Sequence, residues 1–260
     1  MIDLNILFTA LPPMLGLATI AWLLSLIKKD ASIVDSFWSL FFVSALLTWV
    51  VELDADSDRA SLVMGLILLW ASRLSIYLTY RNWGKPEDRR YQTIRQRNQP
   101  HYEVKSLFYV FYLQVALAFI IAVPILPAVA SDRPVSPLDL AGSIIFLIGL
   151  AIESIADLQM ARFKSRKDSK GKVLRTGLWA FSRHPNYFGE SLLWWGFGLI
   201  AVASGAPFWI LVSAAFMTFL LIKVSGVPLL EEDLKSRSPD YCNYIETTSS
   251  FWPRRPGNQK

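Results

Sequence analysis

The sequence predicts an all-α polytopic membrane protein with seven transmembrane helices, the N-terminus outside and the C-terminus inside. The chain is 53% hydrophobic and 18% charged, whereas an ordinary soluble domain is about 25% charged. Several apolar runs reach the roughly 18 residues that are needed to cross the hydrocarbon core of a bilayer. The basic residues are concentrated in alternate loops between these runs. We therefore expect a single integral-membrane domain over residues 1–260.

The apolar runs divide the chain into seven predicted spans. In lipid, each backbone amide has to be paired within its own segment, so the spans are predicted to be helices and not strands. The first run follows Asp3, has no basic segment before it and contains Pro12 and Pro13, which argues against a cleaved signal peptide. The spans lie at residues 4–27, 33–52, 60–80, 106–130, 138–158, 187–204 and 207–230.

The distribution of charge predicts the orientation. Lysines and arginines follow spans one, three, five and seven, whereas the opposite side has only Arg59 and Arg133. By the positive-inside rule, the basic loops face the cytoplasm. The formal net charge of +5 therefore has a topological origin. Because no zinc-finger or RNP-type pattern accompanies it, nucleic acid is excluded as a partner.

The cysteine and histidine content limits the chemistry. A single cysteine, Cys242, excludes an internal disulfide framework and a cysteine-rich metal site. The two histidines, His101 and His184, would need carboxylate ligands that the spacing does not offer. No metal site is predicted.

Ionisable residues inside the spans indicate where function lies, because each one costs about 3 kcal/mol in lipid unless it is paired or hydrated. Asp35, Arg73, Glu153 and Glu190 all fall in the inner halves of their spans. Snorkelling to the interface could account for any single one of them. A polar cavity that opens to the inside accounts for all four.

Three polar pairs have the i, i+4 spacing that places two side chains on one helix face. The pairs are Arg73 with Tyr77, Glu153 with Asp157, and Asn186 with Glu190. If the three faces converge, the basic loops at the mouth of the pocket would suit phosphates. The deeper carboxyl, amide and phenol groups would suit ribose hydroxyls or proton donation. The spacing thus predicts a site where a charged cytosolic cofactor meets a lipid-soluble substrate.

Residues 177–190 form the densest motif, Gly-Leu-Trp-Ala-Phe-Ser-Arg-His-Pro-Asn-Tyr-Phe-Gly-Glu. Pro185 suits the first turn of a helix, and Ser182 is a candidate N-cap before it. A capped re-entry into the membrane with interfacial aromatic residues would explain this pattern structurally. The crowding of Arg, His, Asn, Tyr and Glu at one helix start, where the helix dipole favours an anion, indicates a binding site instead.

This motif resembles the C-terminal domain of the steroid 5-alpha-reductase superfamily, and in particular its uncharacterised bacterial branch. The resemblance is strongest over residues 140–255 and weaker over 33–105, where the loop at 82–91 fits the same branch. The core at 183–187 is also similar to sterol C14-reductases and the lamin B receptor, and its Arg-His-Pro part to isoprenylcysteine carboxyl methyltransferases. Further matching positions are Trp194, Trp195, Gly196, Tyr241, Tyr244, Phe251 and Pro253.

The resemblance implies an NADPH-dependent reductase whose cofactor binds from the cytosolic side. Asn186 and Glu190 would hold the nicotinamide half, and Asp157 would lie beside the adenosine ribose. It also implies a bacterial inner-membrane location with the active site facing the cytoplasm, and a lipophilic small-molecule substrate and membrane lipids as partners. The oligomeric state stays open. The other implied cofactor-binding residues are Arg73, Asn82, Lys85, Arg162, Lys164, Lys172, Arg175, Arg183, His184 and Tyr187.

The implied reaction is reduction of a C=C bond in an enone, as in 3-oxo-5-alpha-steroid 4-dehydrogenases. Hydride transfer to the β carbon builds negative charge on the carbonyl oxygen, which a preorganised donor must meet. Asp35 falls where the steroid reductases carry a glutamate near that carbonyl, and an Asp35 kept neutral by burial could be the donor. Tyr77 is the second candidate. The stretch from Lys223 to Leu234 lacks the His and Tyr of the steroid reductases, so steroid specificity is not implied.

Other classes of function fit the sequence less well than the reductase. An S-adenosylmethionine-dependent isoprenylcysteine or lipid methyltransferase needs no donor such as Asp35, although Glu231-Glu232 resembles its acidic pair and could equally end a helix near basic residues. A transporter needs a polar path to both faces, which the outer halves of the spans do not offer. A sterol-binding scaffold needs no basic cofactor mouth. The G-x-G-x-x-A string from Gly196 follows no strand and predicts close helix packing.

Overall fold

The computed structural model describes residues 3–169, 171–224, 227, 231 and 239–255. As predicted, these described residues are helical and include no strand. The chain divides into two compact units, unit 1 with residues 1–137 and 200–213 and unit 2 with residues 138–199 and 214–260. The α-helices are α1 (Leu4–Phe8), α2 (Leu11–Lys28), α3 (Ile33–Glu52), α4 (Asp58–Asn82), α5 (Arg89–Arg97), α6 (Tyr102–Ser106), α7 (Leu113–Ala122), α8 (Ile125–Val129), α9 (Pro137–Ser165), α10 (Pro185–Ala203), α11 (Val212–Phe219) and α12 (Pro239–Thr247). Short 3₁₀ turns lie at Lys167–Ser169, Gly177–Ala180 and Phe208–Leu211, and π-helical turns at Leu107–Tyr112 and Leu220–Val224.

Among the described residues, five helical segments are long and apolar enough to cross a membrane, and they coincide with predicted spans one to five. The sixth predicted span forms α10, which is not among the five. The seventh is represented by the shorter apolar segment Phe208–Val224, and most of residues 225–230 lie outside the described residues. The seven-helix count and the orientation of the termini therefore stay predictions. The five segments are Leu4–Lys28, Ile33–Glu52, Asp58–Asn82, Tyr102–Ala122 and Pro137–Ser165.

Prolines explain where two predicted spans differ from the observed helices. The predicted span 106–130 is interrupted after Ala122, and the short helix α8 follows Pro124. Proline lacks the N–H that a continuing helix requires, so it breaks the ladder of hydrogen bonds there. The first predicted span is divided between α1 and α2, and α2 begins with prolines in its first turn, where the missing N–H has no cost.

Unit 1 is built around α3, which packs against α2, α4, α7 and α8. Its buried side includes Phe42, whose ring meets the Trp70 ring edge-on at a centroid distance of 5.3 Å. Ser39 Oγ donates to Ala71 O at 3.0 Å and fastens α3 to α4. At 1.5 Å per residue, α3 separates Asp35 near its start from Leu53 after its end by about 27 Å.

Unit 2 depends on a close backbone contact between α9 and α10. A Cβ atom at Gly149 would lie 2.6 Å from Gly189 O, and one at Gly189 would lie 2.6 Å from Gly149 O. Seven residues further along α10, a Cβ at Gly196 would lie 2.5 Å from both Gly142 O and Phe146 N. Real Cβ atoms do not approach backbone so closely, so only glycine fits. This observation confirms the close helix packing that was predicted at Gly196.

Replacing Gly189 by alanine is expected to destabilise the protein by about 1–3 kcal/mol, the usual cost of overpacking. The atoms that the new Cβ would meet belong to the backbone of Gly149 and Glu153, and so cannot rotate away. The measurement is the thermal unfolding midpoint of the detergent-solubilised protein. Gly65→Ala is the matched control, because nothing lies within 4 Å of a Cβ at that helical position. Equal midpoints for Gly189→Ala and the wild type would contradict the close contact.

Candidate functional site

A polar cluster in unit 1 surrounds Asp35 in the first turn of α3. Tyr91 OH donates to Asp35 Oδ1 at 2.5 Å, and Arg90 Nη2 donates to Asp35 Oδ2 at 2.9 Å. Gln114 Nε2 donates to Tyr91 OH at 3.1 Å. The phenol of Tyr91 therefore donates a hydrogen bond to a carboxylate and accepts one from an amide.

The loop before α5 holds this cluster against the start of α3. Glu87 Oε1 accepts from Ala31 N at 2.8 Å, just before α3. Arg95 Nη2 donates to the same Glu87 oxygen at 2.9 Å. Asp88 Oδ1 accepts from Arg90 N at 2.9 Å and from Arg90 Nε at 3.0 Å. The Arg90 guanidinium is thereby fixed between two carboxylates.

Tyr91 is a phenol that remains protonated at neutral pH. Burial, and then the neighbouring Asp35 carboxylate, raises the pKa of Tyr91 well above its ordinary value of 10.0. A protonated phenol that already donates a hydrogen bond could donate it to a substrate oxygen instead. Tyr91 is thus a chemically suitable donor that the sequence argument missed.

Asp35 accepts two hydrogen bonds, one at each carboxylate oxygen. The predicted role for Asp35 requires a carboxylic O–H that donates to the substrate, and this arrangement uses both oxygens as acceptors. The role of Asp35 as donor stays a prediction. The contacts show Asp35 orienting Tyr91.

The other predicted residues of unit 1 lie in the C-terminal part of α4 and in the loop that follows it. The Arg73 guanidinium lies over the Tyr77 ring at 5.4 Å from its centroid, and the Arg81 guanidinium lies at 5.8 Å from it. Arg81 Nε donates to Asn82 Oδ1 at 3.1 Å, and Lys85 Nζ donates to Arg81 O. Arg73 and Tyr77 do share one helix face, as their spacing predicted. Their roles in catalysis and in cofactor binding stay predictions.

In unit 2, the glycine contact brings the acids of α9 close to the start of α10. Asn186 Nδ2 donates to Asp157 Oδ1 at 3.3 Å. Glu190 Oε1 accepts from Trp194 Nε1 at 3.2 Å, and Glu153, Asp157 and Glu190 are all buried. Asn186 Oδ1 is also buried, and it has no hydrogen-bond partner among the residues that the structure describes. A buried acceptor of this kind indicates a place for a ligand donor.

Arg183 and His184 form a buried charge cluster with Glu231. Arg183 Nε donates to Glu231 Oε1 at 2.8 Å, and Nη2 donates to Oε2 at 3.1 Å, which makes the pair bidentate. His184 Nε2 lies 3.1 Å from Glu231 Oε1, and the Tyr187 ring stacks on the imidazole at 5.5 Å. Glu231 therefore contacts basic side chains, as predicted by the explanation in which the Glu231-Glu232 pair ends a helix near basic residues. Glu232 lies outside the described residues.

Contacts dominate the pKa shift of Glu231, whereas burial dominates that of His184. Burial alone would raise the pKa of Glu231, but the hydrogen bonds from His184 and Arg183 lower it to about 2. Burial lowers the pKa of His184 below its ordinary value of 6.5, although Glu231 opposes this. Glu231 is thus ionised across the physiological pH range.

The same motif anchors the C-terminal segment of residues 239–255. Arg183 Nη1 donates to Ile245 O at 3.0 Å and also to Thr248 O. Ser182 Oγ donates to Phe251 O at 2.9 Å and accepts from His184 N at 3.1 Å. Ser182 therefore caps the turn that leads into α10 and not α10 itself, which corrects the N-cap prediction. Much of the hydrogen-bonding capacity of Arg183 is used within the protein.

The basic residues around the end of α9 differ in how they are engaged. Arg175 Nη2 donates to Asp240 Oδ1 at 2.6 Å, while Arg175 Nε is buried without a partner among the described residues. Lys172 Nζ lies 3.6 Å from an exposed Asp168 carboxylate. Arg162 lines a cavity of about 280 Å³, and Lys164 lies in the last turn of α9. Their predicted roles beside the phosphates stay predictions.

Comparison with known proteins gives a family and several relatives. A family model described as "Protein of unknown function (DUF1295)" matches residues 21–248. An uncharacterised protein of Schizosaccharomyces pombe is 26% identical over 93% of this chain and 78% of its own length. A probable O-methyltransferase of Ustilaginoidea virens is 30% identical over 44% of this chain and 38% of its own length. A steroid 5-alpha-reductase of Gossypium hirsutum is 36% identical over 24% of this chain and 24% of its own length. No solved structure matches the chain significantly.

Replacing Glu231 by glutamine is expected to destabilise the protein by about 3–5 kcal/mol, because it leaves the buried Arg183 guanidinium without its carboxylate. The free energy of unfolding in detergent is the measurement. Glu246→Gln is the matched control, because Glu246 of α12 is exposed and makes no ion pair among the described residues. An unchanged free energy of unfolding for Glu231→Gln would contradict the buried pair.

The same pair predicts the pH dependence of stability. The folded pKa of Glu231, about 2, lies below the ordinary 4.5, so its contribution is complete above pH 4.5 and is lost as the pH falls toward 2. The lowered pKa of His184 acts in the same direction below pH 6.5. We expect the free energy of unfolding to fall as the pH is lowered from 7. In Glu231→Gln, the part of this decrease that occurs below pH 4.5 is expected to be absent.

Proposed function

Because the chain belongs to the DUF1295 family, which is part of the steroid 5-alpha-reductase superfamily, we propose that it is a membrane-embedded reductase that uses NADPH to reduce a C=C bond in a lipophilic enone. The family match confirms the resemblance that the motif at 177–190 indicated. The reaction, the cofactor and the substrate class are our proposal. The observation that carries it is the buried, unpartnered Asn186 Oδ1 at the start of α10.

The residues of unit 2 fit such a cofactor. An amide oxygen such as Asn186 Oδ1 can accept a hydrogen bond from the carboxamide N–H of NADPH. A guanidinium can bind the phosphates of NADPH. Arg175 Nε is a second buried atom without a partner among the described residues, and it is a donor. Asn186, Asp157 and Glu190 would hold the nicotinamide and ribose groups, with Arg175, Arg162 and Lys164 on the phosphates. Arg183 and His184 would position this set through Glu231.

Taken by themselves, the described residues of unit 1 include a hydrogen-bond donor of the kind that this reaction needs. When bound, NADPH supplies the hydride to the β carbon of the enone. Tyr91 would donate a hydrogen bond to the substrate carbonyl oxygen, where negative charge develops, and a proton taken up from water at the α carbon would complete the reduction. Asp35 and Gln114 would orient the phenol, and Arg90 would keep the Asp35 carboxylate in place. We propose Tyr91 as the donor in place of Tyr77, because a carboxylate, that of Asp35, orients the Tyr91 phenol.

The lipophilic substrate and the membrane lipids are the proposed partners. Five apolar helical segments support an integral membrane protein, and a substrate dissolved in the bilayer would reach the protein without crossing water. The basic loops support an active site on the cytoplasmic side of a bacterial inner membrane.

A second candidate function is an S-adenosylmethionine-dependent methyltransferase. Two observations favour it: the match to the probable O-methyltransferase covers more of this chain than the match to the steroid 5-alpha-reductase, and the described part of unit 2 buries several carboxylates, among them Glu153, Asp157 and Glu190. Carboxylates suit the cationic sulfonium and ammonium groups of S-adenosylmethionine. Tyr91 and its orienting acid have no role in methyl transfer, which is why we place the reductase first.

Ligand-induced stabilisation of the purified protein separates the two functions. We expect NADPH at about 100 times its Kd to stabilise the folded protein by about 2.7 kcal/mol, and S-adenosylmethionine to leave the thermal midpoint unchanged. Asn186→Ala should weaken NADPH binding about tenfold, since one buried hydrogen bond is worth about 1.4 kcal/mol. Gln96→Ala, at an exposed amide of α5, is the matched control. Stabilisation by S-adenosylmethionine alone would overturn the reductase.

Substitution of Tyr91 tests the proton donor. Tyr91→Phe is expected to lower kcat for NADPH oxidation with a panel of lipophilic enones by about 100-fold, the loss typical of one removed oxyanion donor. Its Kd for NADPH should stay unchanged. Tyr80→Phe, at a phenol that is 84% exposed, is the control and should retain kcat. If Tyr91→Phe retains full activity while Asp35→Asn abolishes it, Asp35 is the donor.

A further inference from the structure

Unit 1 contains a cavity of about 340 Å³ at the end of α3 that lies opposite Asp35. The segments that line it are the start of α1, the residue after α3, the end of α8 with the residues that follow, and residues 204–207. Pockets that bind small ligands have volumes of about 300–1,000 Å³. This cavity therefore suits one small group, and the cofactor and substrate roles proposed above make no use of it.

Two opposite charges line the cavity and do not pair with each other. Asp3 Oδ1 accepts from Asn5 N at 2.8 Å at the start of α1, and Asp3 makes no ion pair in the part of the chain that the structure describes. The Arg133 guanidinium likewise has no hydrogen-bond or ion-pair partner among those residues. It packs instead over Gly205, whose φ of +97° and lack of a Cβ make room for it. One ligand that carries both charges would satisfy both side chains.

Hydrogen bonds join the segments that line the cavity. Buried Arg59 donates from Nη1 to Arg133 O at 2.8 Å and from Nη2 to Pro134 O at 2.9 Å. Its Nη1 also donates to Ser131 Oγ at 3.1 Å, and Ser131 Oγ donates to Ser204 O at 3.1 Å. These bonds fasten two segments of the lining to each other. A preformed site does not have to be ordered on binding, which lowers the cost of association.

The position of the cavity identifies the environment of its ligand. It lies just past Glu52, the last residue of the apolar segment Ile33–Glu52, and so at the depth of the lipid headgroups. The rest of its lining is mostly apolar and includes Ile6, Leu126 and Pro127. A polar group that continues into hydrocarbon fits such a wall.

We propose that this cavity binds the headgroup of a zwitterionic phospholipid of the phosphatidylethanolamine type. The Arg133 guanidinium binds the phosphate, and the Asp3 carboxylate accepts hydrogen bonds from the primary ammonium. A purely anionic headgroup meets repulsion from Asp3, and a trimethylammonium group has no N–H to donate. The start of the acyl chains lies along the apolar wall.

Binding of defined lipids to the full-length protein in detergent tests the proposal by native mass spectrometry. The probes are dioleoyl phosphatidylethanolamine, phosphatidylcholine and phosphatidylglycerol at equal concentration. The wild type is expected to retain phosphatidylethanolamine about fivefold better than the other two, the upper end of what an exposed ion pair contributes. Asp3→Asn should remove this preference, and Arg133→Gln should weaken binding of all three lipids. Asp132→Asn, at an exposed acid outside the lining, should keep the preference.

Equal retention of the three lipids by the wild type, or an unchanged preference in Asp3→Asn, would overturn the proposal. Arg133→Lys keeps the positive charge and is expected to retain lipid binding. This variant tests the role of the charge even if Arg133→Gln does not fold. Soluble O-phosphoethanolamine is the second probe. Competition by this soluble probe as strong as that by the lipid would overturn the assignment to a lipid and leave a free zwitterion as the ligand.

Discussion

An ionisable side chain inside a membrane protein has to be paired, and this constraint organises both units. Asp35 meets Tyr91 and Arg90 at the start of α3. Arg183 meets Glu231 in a bidentate pair, and the buried Arg59 is surrounded by backbone carbonyls. In each case the partner comes from a distant segment, so the pair also fixes the course of the chain. Within each unit, these polar contacts thus fix the course of the chain, which hydrophobic burial does in a soluble domain.

The local parts of the candidate site could be predicted from the sequence. The i, i+4 spacing of Arg73 with Tyr77 is a property of one helix, and their side chains do meet. The motif at 177–190 gave the start of α10 and the residues that crowd there. What the spacing could not give is a contact between segments that are far apart in the chain. Tyr91 lies 56 residues from Asp35, and Glu231 lies 48 residues from Arg183.

The same distinction holds for the fold. Apolar runs predicted the first five spans, because the length of a run and the thickness of a bilayer are both local quantities. The glycines of α9 and α10 recur at seven-residue spacing, Gly142 with Gly149 and Gly189 with Gly196. That spacing marks one face of each helix, but only the structure shows that the two faces meet. Helix packing in lipid depends on such small residues, since apolar side chains gain little by leaving lipid for protein.

The charge cluster in unit 2 explains why one short motif is similar to proteins of different chemistry. Arg183 and His184 are engaged with Glu231 and with the carbonyls of the C-terminal segment, so their contacts are internal. Such residues hold a scaffold together whichever cofactor it binds. Asn186, three residues after Arg183, is different, because its buried amide oxygen has no hydrogen-bond partner among the described residues. We therefore expect substitutions of Arg183 and His184 to act on the stability of the protein, and those of Asn186 to act on the ligand that we propose for it.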